Sequence, residues 1–309
     1  MVKDLVRNGL DAVEEKLHRV VDSDVMVLDE ASHHIISSGG KRLRPRLVFL
    51  SYLAAGGESL DEVVSMAAAV ELVHTATLVH DDINDHSIMR RGKIAVHARW
   101  GRTFALLTGD YLFTKVYEMM APYGARANTI MAEATVLLVE GETLQAAAAK
   151  SGEIDRETYK QIISRKTASL FRAAAEMGSL LAGANNQTVM GLSEYAHNLG
   201  LAFQIVDDML DIIGDPEVMG KPVGADIPQG MGAVALHNGR KAHSALAEAE
   251  ADPVQQMMLR LRESGAVEIA RAEAHEMASR ARQALLRVPP SAARDELDEL
   301  IDQVLERQR

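Results

Sequence analysis

The chain carries two copies of the spacing Asp-Asp-x-x-Asp, and each copy closes an apolar stretch, ELVHTATLVH or LGLAFQIV. The first aspartate cluster is Asp81, Asp82 and Asp85, and the second is Asp207, Asp208 and Asp211. In a helix, positions i and i+4 lie within about 40° of each other, so each cluster places carboxylates on one face. A single copy is commonly a solvated helix end. Two copies 126 residues apart, each after a stretch typical of a buried helix, indicate a binding site.

Carboxylates this close to one another need a cation. They repel, and without a positive partner one of them would take up a proton. Hard divalent cations with oxygen ligands relieve that repulsion. Magnesium in particular binds one or two carboxylates, keeps several waters and completes its shell with phosphate oxygens of a substrate. The two clusters therefore predict a diphosphate held by Mg²⁺.

The composition predicts an all-α fold. There are 8 prolines, 4% aromatic residues and no stretch with the alternation of a β-strand. The chain is 47% hydrophobic and has no linker-like segment, so we expect one domain over residues 1–309. Periodicity and breakers predict helices at roughly 2–20, 24–37, 45–56, 60–85, 94–121, 125–150, 155–183, 188–213, 232–250, 253–263, 266–287 and 291–308.

Charge and cysteine content exclude several classes of function. With no cysteine, the chain has no disulfide, no cysteine nucleophile and no thiolate zinc site, which fits a reducing compartment. A net charge of −11 argues against nucleic acid as a partner. The N-terminus is amphipathic without the apolar core of a signal peptide, and no run approaches the length of a transmembrane helix. We therefore expect a cytoplasmic protein.

Positive charge is nevertheless concentrated in two short motifs. GGKRLRP carries Lys41, Arg42 and Arg44 on a glycine-led turn ahead of a helix, and RRG carries Arg90 and Arg91 five residues after the first aspartate cluster. A helix N-terminus and arginine side chains both favour phosphate groups. The alternative, a solvated basic loop, is less favoured beside two metal-type clusters.

Three further polar positions lie in otherwise apolar helices. His74 precedes Asp81 by about two turns, and Gln204 precedes Asp207 by three residues, so each falls near the face of an aspartate cluster. Lys166 lies in RKTASLF, and each of the three could equally be an ordinary structural or surface group. His18 and His33-His34 have no ligand spacing, and we interpret them as structural.

Taken together and in order, GGKRLRP, ELVHTATLVHDDIND, RRG, LLTGDYL, KTASLF, LAFQIVDDMLD and GDPEVMGKPVGAD resemble the motifs of the trans-isoprenyl diphosphate synthases, or polyprenyl synthetases, across nearly the whole chain. The resemblance implies an all-α, single-domain helical bundle of the isoprenoid synthase type with a central apolar cavity. It also implies a homodimer that joins an allylic diphosphate to isopentenyl diphosphate. Peripheral contact with a membrane would serve product release.

The resemblance implies a role for each matched position. Asp81, Asp85, Asp207 and Asp211 would hold magnesium, three ions per site, with Asp82 and Asp208 in support. Lys41, Arg44, His74 and Arg91 would bind isopentenyl diphosphate, and Arg90, Lys166, Thr167, Gln204 and Lys221 the allylic substrate. The catalytic set would comprise both Asp-Asp pairs, Asp85 and Lys166. One departure is Met231, which stands where the family commonly has a lysine.

The expected reaction is ionisation of the allylic C–O bond, attack by the double bond of isopentenyl diphosphate, and proton loss to the departing diphosphate. The glycine- and proline-rich segment 214–232 is our candidate for a lid that excludes water. One turn before the first aspartate cluster are Ala76 and Thr77, both small. In the family, bulky residues there accompany short products, so we expect a product longer than farnesyl diphosphate.

Three alternatives remain at this point. A terpene cyclase or head-to-head condensing enzyme also ionises allylic diphosphates, but neither needs the second diphosphate site of GGKRLRP. A non-catalytic regulatory subunit would fit the change to Met231, although six retained aspartates argue against it. A carboxylate-bridged di-iron bundle would need a Glu-x-x-His motif on facing helices, and none is suitably placed.

Overall fold

The computed structural model describes residues 2–151, 155–213 and 263–307, and it is almost entirely helical in these ranges. The all-α prediction is confirmed. The helices are α1 (Val2–Val20), α2 (Met26–Ile36), α3 (Leu43–Ala54), α4 (Val64–Asn84), α5 (Val96–Trp100), α6 (Arg102–Met120), α7 (Gly124–Ser151), α8 (Arg156–Ile163), α9 (Ser169–Leu181), α10 (Asn186–Ile213), α11 (Ala266–Leu285) and α12 (Ala292–Leu305). Short 3₁₀ turns occupy Leu60–Glu62 and Ala121–Tyr123, and a π-helix occupies Ser164–Ala168.

Contacts between Cα atoms divide the chain into two compact units. The first unit comprises Met1–Ala132, Ala174–Val189 and Pro289–Glu296, and the second comprises Glu133–Ala173, Met190–Val288 and Leu297–Arg309. A single domain over 1–309 stays a prediction.

Helix α4 is the centre of the first unit, where it packs along α6 and also contacts α1 and α3. Its alanine run Ala67–Ala69 is fully buried, since small side chains let the neighbouring helices approach closely. At Gly109 of α6 a Cβ would stand 2.1 Å from Nε2 of His80, so only glycine leaves room for that imidazole. This close approach fixes the α4 residue that directly precedes the first aspartate cluster.

The π-helix lies against two glycines in the second unit. A Cβ at Gly141 of α7 would stand 2.5 Å from the backbone nitrogen of Lys166, and one at Gly200 of α10 would stand 2.8 Å from the Cα of Ala168. Both neighbouring helices therefore approach the π-helix at backbone distance. Single π turns inside helices occur frequently at functional sites, and this one carries Lys166 and Thr167.

Two helix predictions were wrong in detail. The predicted helix 94–121 is two helices, α5 and α6, separated at Gly101, whose φ of 88° no α-helix allows. Its predicted first residue, Ile94, instead ends a two-stranded antiparallel hairpin of Met89–Arg90 (β1) and Lys93–Ile94 (β2). The predicted helix 155–183 contains the π turn. Predicted helix 232–250, nearly all of 253–263, and the proposed lid 214–232 lie outside the described residues.

In the part of the chain that the structure describes, no helix is long and apolar enough to cross a membrane.

Candidate active site

The two basic motifs meet at His74 in the first unit. Gly39 has a φ of 72°, which favours glycine, and its carbonyl accepts a hydrogen bond from Nη1 of Arg91. A Cβ at Gly40 would stand 2.6 Å from the same Nη1. The glycine pair of GGKRLRP therefore forms the surface on which the second arginine of RRG rests. We name Arg42, Arg44, Arg90 and Arg91 the arginine group.

The arginine group leaves His74 neutral. Burial and then the charges of Arg44, Arg91, Arg90 and Arg42 lower the pKa of His74 well below 6.5. Burial also lowers the pKa of Arg44 to about 10, where the charge of Glu71 opposes the change and that of Arg91 adds to it. Desolvation, with the charges of Arg42 and Arg90, lowers the pKa of Arg91 despite Glu71. Burial is the first cause of all three shifts and the charges of neighbouring arginines add to it, so a bound anion would stabilise the charged forms of these groups.

Arg42 differs from Arg44 and Arg91 in that its pKa is raised, because two carboxylates hold it. Its side chain is buried, Nη1 donates to Oε1 of Glu71 at 2.8 Å, and Nη2 donates to Oε2 of Glu14 at 2.9 Å. Burial opposes its charge, but the bonds and charges of Glu14 and Glu71 outweigh burial and raise its pKa. Arg42 has the left-handed φ of 46° at the residue before α3. Its paired role is therefore to fix the turn that presents Lys41 and Arg44.

In the first aspartate cluster the middle residue faces the protein. Asp82 is 1% exposed, and its Oδ1 accepts a hydrogen bond from Nε of Arg90 at 2.8 Å. Burial raises the pKa of Asp82, while the bond and charge of Arg90 oppose the rise. Oδ2 of Asp82 is buried without a hydrogen-bond donor. Asp81 is half-buried and Asp85 is exposed, and the charges of both help to raise the pKa of Arg90.

In the second cluster, on α10, the middle residue is again held by the protein. Asp208 is 3% exposed, and it accepts hydrogen bonds from the hydroxyl of Tyr159 at 2.6 Å and from Nε2 of Gln204 at 2.9 Å. Thr167 on the π-helix donates to Oε1 of Gln204 at 2.8 Å. Burial and the charge of Asp208 raise the pKa of Tyr159 well above 10, so its hydroxyl stays a donor. Two successive hydrogen bonds, from Thr167 to Gln204 and from Gln204 to Asp208, thus link the π-helix to the aspartate cluster.

The other aspartates of the second cluster differ in exposure. Asp207 is half-buried and accepts a hydrogen bond from Nη2 of Arg307 at 3.1 Å. Asp211 is buried. In both clusters, therefore, the first aspartate is partly open while the second is buried and held by protein donors. Asp81 and Asp207 are thus the more accessible members of their Asp-Asp pairs.

Lys166 is held on the π-helix by acceptors from α7. Its Nζ donates to Oε1 of Gln145 at 2.9 Å and lies 2.5 Å from Oε2 of Glu142. The lysine is half-buried, so its charge is directed by these two partners rather than freely solvated. Lys41, in contrast, is exposed. Lys221 and Met231 lie outside the described residues.

The carboxylates suit magnesium without forming a closed cage. Among the described residues, three metal-type side chains with ligand atoms within 4.8 Å of one another occur at Asp22, Asp29 and His33 rather than in either aspartate cluster. An all-oxygen donor set, together with the buried Oδ2 of Asp82, fits a hard cation whose shell is completed by water and substrate oxygens. His33 stacks on His18 at 5.4 Å, as expected for structural histidines.

Comparison with known proteins assigns the family. A family model described as polyprenyl synthetase matches residues 25–259. The chain belongs to the polyprenyl synthetase family. The octaprenyl diphosphate synthase of Escherichia coli (strain K12) is 33% identical over 319 residues, which cover 100% of this chain and 98% of that relative. The predicted family is thus confirmed.

Solved structures agree over the full length of this polyprenyl synthetase. A polyprenyl synthase from Caulobacter crescentus CB15, complexed with calcium and isoprenyl diphosphate, has a TM-score of 0.91 and 35% identity, covering 100% of this chain and 98% of that one. A decaprenyl diphosphate synthase from Rhodobacter capsulatus has a TM-score of 0.90 and 33% identity, covering 100% of both chains.

Sequence reasoning missed the residues that support the site from other helices. Glu14, Glu71, Tyr159 and Gln145 were not predicted, because each lies inside an ordinary helical pattern far along the chain from its partner. Glu71 offered one usable signal, since a carboxylate inside the apolar run AAAVELV is rarely buried unless it is paired.

We predict that Tyr159→Phe destabilises the protein through Asp208. The change leaves a buried carboxylate oxygen without its donor, which costs about 1–3 kcal/mol of unfolding free energy. Urea denaturation measures the loss. The matched control is Tyr52→Phe, which removes a 2.9 Å bond to the exposed Glu62, where water replaces the donor. Equal losses in the two variants would contradict a special role for Tyr159.

Proposed function

We propose that this polyprenyl synthetase is a trans-prenyltransferase that extends an allylic diphosphate with isopentenyl diphosphate. Geranyl, farnesyl or geranylgeranyl diphosphate is the starter, and the product is longer than farnesyl diphosphate. The named relatives, an octaprenyl and a decaprenyl diphosphate synthase, support a product in this range.

The observation that carries the proposal is the arginine group around the neutral His74. The arginines come from GGKRLRP and RRG and surround His74 of α4, and burial together with repulsion between the positive charges lowers the pKa of Arg44, Arg91 and His74. A cyclase acts on one diphosphate and has no need of such a site. A condensing enzyme with two diphosphate substrates does need it.

The proposed roles are those that the family motifs imply for each matched position. Lys41, Arg44 and Arg91 bind the diphosphate of isopentenyl diphosphate, and neutral His74 donates a hydrogen bond to it. Arg90, Lys166, Thr167 and Gln204 contact the allylic diphosphate, as does Lys221, which lies outside the described residues. Asp81, Asp85, Asp207 and Asp211 are the proposed magnesium ligands, with three ions per site. Calcium in the Caulobacter crescentus structure supports a divalent cation.

In the proposed reaction the allylic C–O bond breaks, the double bond of isopentenyl diphosphate forms a bond to C1, and the departing diphosphate takes the lost proton. Bound magnesium supplies positive charge for the leaving group. The chain's own contribution is fixed positive charge, because Arg90 and Lys166 are held by Asp82, Gln145 and Glu142 before substrate arrives. No covalent intermediate is needed.

The test is product chromatography with farnesyl diphosphate and magnesium, with and without isopentenyl diphosphate. We expect prenyl diphosphates longer than fifteen carbons only when both substrates are present, because the arginine group has to be filled for condensation. Turnover of the allylic substrate alone would indicate a cyclase. No turnover by the isolated chain would indicate a regulatory subunit.

Product length is proposed to depend on Ala76 and Thr77. Both are buried on α4, and the Thr77 hydroxyl donates to the carbonyl of His74 at 2.8 Å, which satisfies its polar group inside the helix. Small side chains one turn before the aspartates leave room for a growing chain.

We predict that Ala76→Phe shortens the product in the same assay, since the ring fills the space that the chain would occupy. Ala76→Val serves as the graded control and should shift the distribution less. Thermal unfolding of both variants separates this effect from the ~1–3 kcal/mol loss expected of overpacking. An active Ala76→Phe enzyme with an unchanged product distribution would refute the assignment.

A homodimer is proposed from an apolar stripe on α6. Phe104 and Leu107 lie one turn apart on α6 and are 43% and 51% exposed, and Leu106 beside them is 41% exposed. Leu107→Glu should dissociate the dimer in sedimentation equilibrium, because it places a charge in the stripe. Met26→Glu is the control, since Met26 is also apolar and even more exposed but lies on α2. A wild-type monomer at micromolar concentration would exclude the proposal.

Cytoplasmic location and peripheral membrane contact during product release stay proposals.

A further inference from the structure

Arg307 lies against the second aspartate cluster from within the same unit. Its Nη2 donates to Oδ1 of Asp207 at 3.1 Å, and its guanidinium carbon lies 4.2 Å from the ring centroid of Phe203, one turn earlier on α10. Only 13% of the Arg307 side chain is exposed. Stacking on an aromatic ring and loss of water strengthen such an ion pair relative to ordinary surface pairs.

This contact involves the one aspartate of the second cluster that is partly open. Asp208 and Asp211 are buried, whereas Asp207 keeps 35% of its side chain exposed and bonds a cation from the protein itself. A divalent ion at Asp207 would meet a guanidinium on the same carboxylate. Two cations that share one carboxylate repel each other, and partial burial of the site makes that repulsion stronger than in water.

We propose that Arg307 is a built-in counter-cation that competes with magnesium for Asp207. This inference rests on the proposed function, in which Asp207 is a magnesium ligand. Arg307 lies two residues beyond Leu305, the last residue of α12, so it can leave Asp207 without unwinding that helix. A diphosphate provides oxygen acceptors for both cations. Arg307 therefore weakens metal binding only while the diphosphate is absent, which couples metal loading to substrate binding.

The experiment is a Mn²⁺ titration of the full chain, with free ion counted by electron paramagnetic resonance. Mn²⁺ accepts the same carboxylate ligands as magnesium. We expect Arg307→Gln to bind Mn²⁺ about threefold to tenfold more tightly than the wild type, because one positive charge is gone from the site. With saturating inorganic diphosphate the difference should disappear. Arg307→Lys, which keeps the charge, should bind like the wild type.

The matched control is Arg282→Gln. This substitution also removes one positive charge. Arg282 also bonds α12, through Asp298 at 3.1 Å and through Asp302. Its side chain is 41% exposed, however, and its hydrogen bonds go to these two residues rather than to Asp207. Its Mn²⁺ affinity should stay that of the wild type. An unchanged affinity would show that neither the loss of a positive charge elsewhere nor the loss of a bond to α12 explains tighter Mn²⁺ binding by Arg307→Gln.

Two further outcomes separate this inference from the proposed function. If Asp207→Asn does not weaken Mn²⁺ binding, Asp207 is not a metal ligand and the proposed function loses that assignment. If Asp207→Asn weakens binding but Arg307→Gln binds like the wild type or more weakly, Asp207 remains a ligand and only the competition is overturned. A near-identical thermal unfolding midpoint for both arginine variants ensures that folded protein is compared.

Discussion

Repulsion between like charges, held in place by the fold, is the interaction on which the arginine group and the aspartate clusters each depend. In the first unit burial, and after it the charges of neighbouring arginines, lower the pKa values of His74, Arg44 and Arg91. Only strong local support keeps such a group together. Arg42 provides it through Glu14 and Glu71, which tie the turn of GGKRLRP to α1 and α4. A bound diphosphate would offset the repulsion between these positive charges.

In the aspartate clusters the repulsion is between negative charges, and neighbouring carboxylates there have different surroundings. Asp82 and Asp208 are buried and held by protein donors, so they orient the helix face and set the local charge. Asp81 and Asp207 stay partly open. A carboxylate pair with one fixed and one available member can accept a cation without losing its own geometry. Such support from surrounding residues is what commonly orients metal ligands.

Much of the fold and the chemical character of the site could be predicted from the sequence. The alanine-rich and leucine-rich periodicity of α4, α7 and α10 predicts helices close to those observed, because local propensity and burial agree there. The hairpin at Met89–Ile94 could not be predicted, since two-residue strands leave no periodicity. The π-helix could not be predicted either, because the glycines that lie against it, Gly141 and Gly200, belong to helices far along the chain.

Partners that come from distant helices limit the prediction of the site in the same way. The motif spacing indicates that Asp82 and Asp208 belong to the site, but not that Arg90 and Tyr159 bury them. Likewise, GGKRLRP predicts anion binding, whereas the distinction between Arg42, which is paired with carboxylates, and Arg44, whose pKa is lowered, depends on where Glu71 lies. Residue types identify the chemistry, and tertiary contacts assign the roles.

The most direct measurement is the pKa of His74 by nuclear magnetic resonance, in the free protein and with inorganic diphosphate. If the arginine group is an anion-binding site, the pKa of His74 lies well below 6.5 in the free protein. It then rises when diphosphate binds, because the anion offsets the arginine charges. An ordinary pKa in the free protein, or one that diphosphate leaves unchanged, would contradict the central claim.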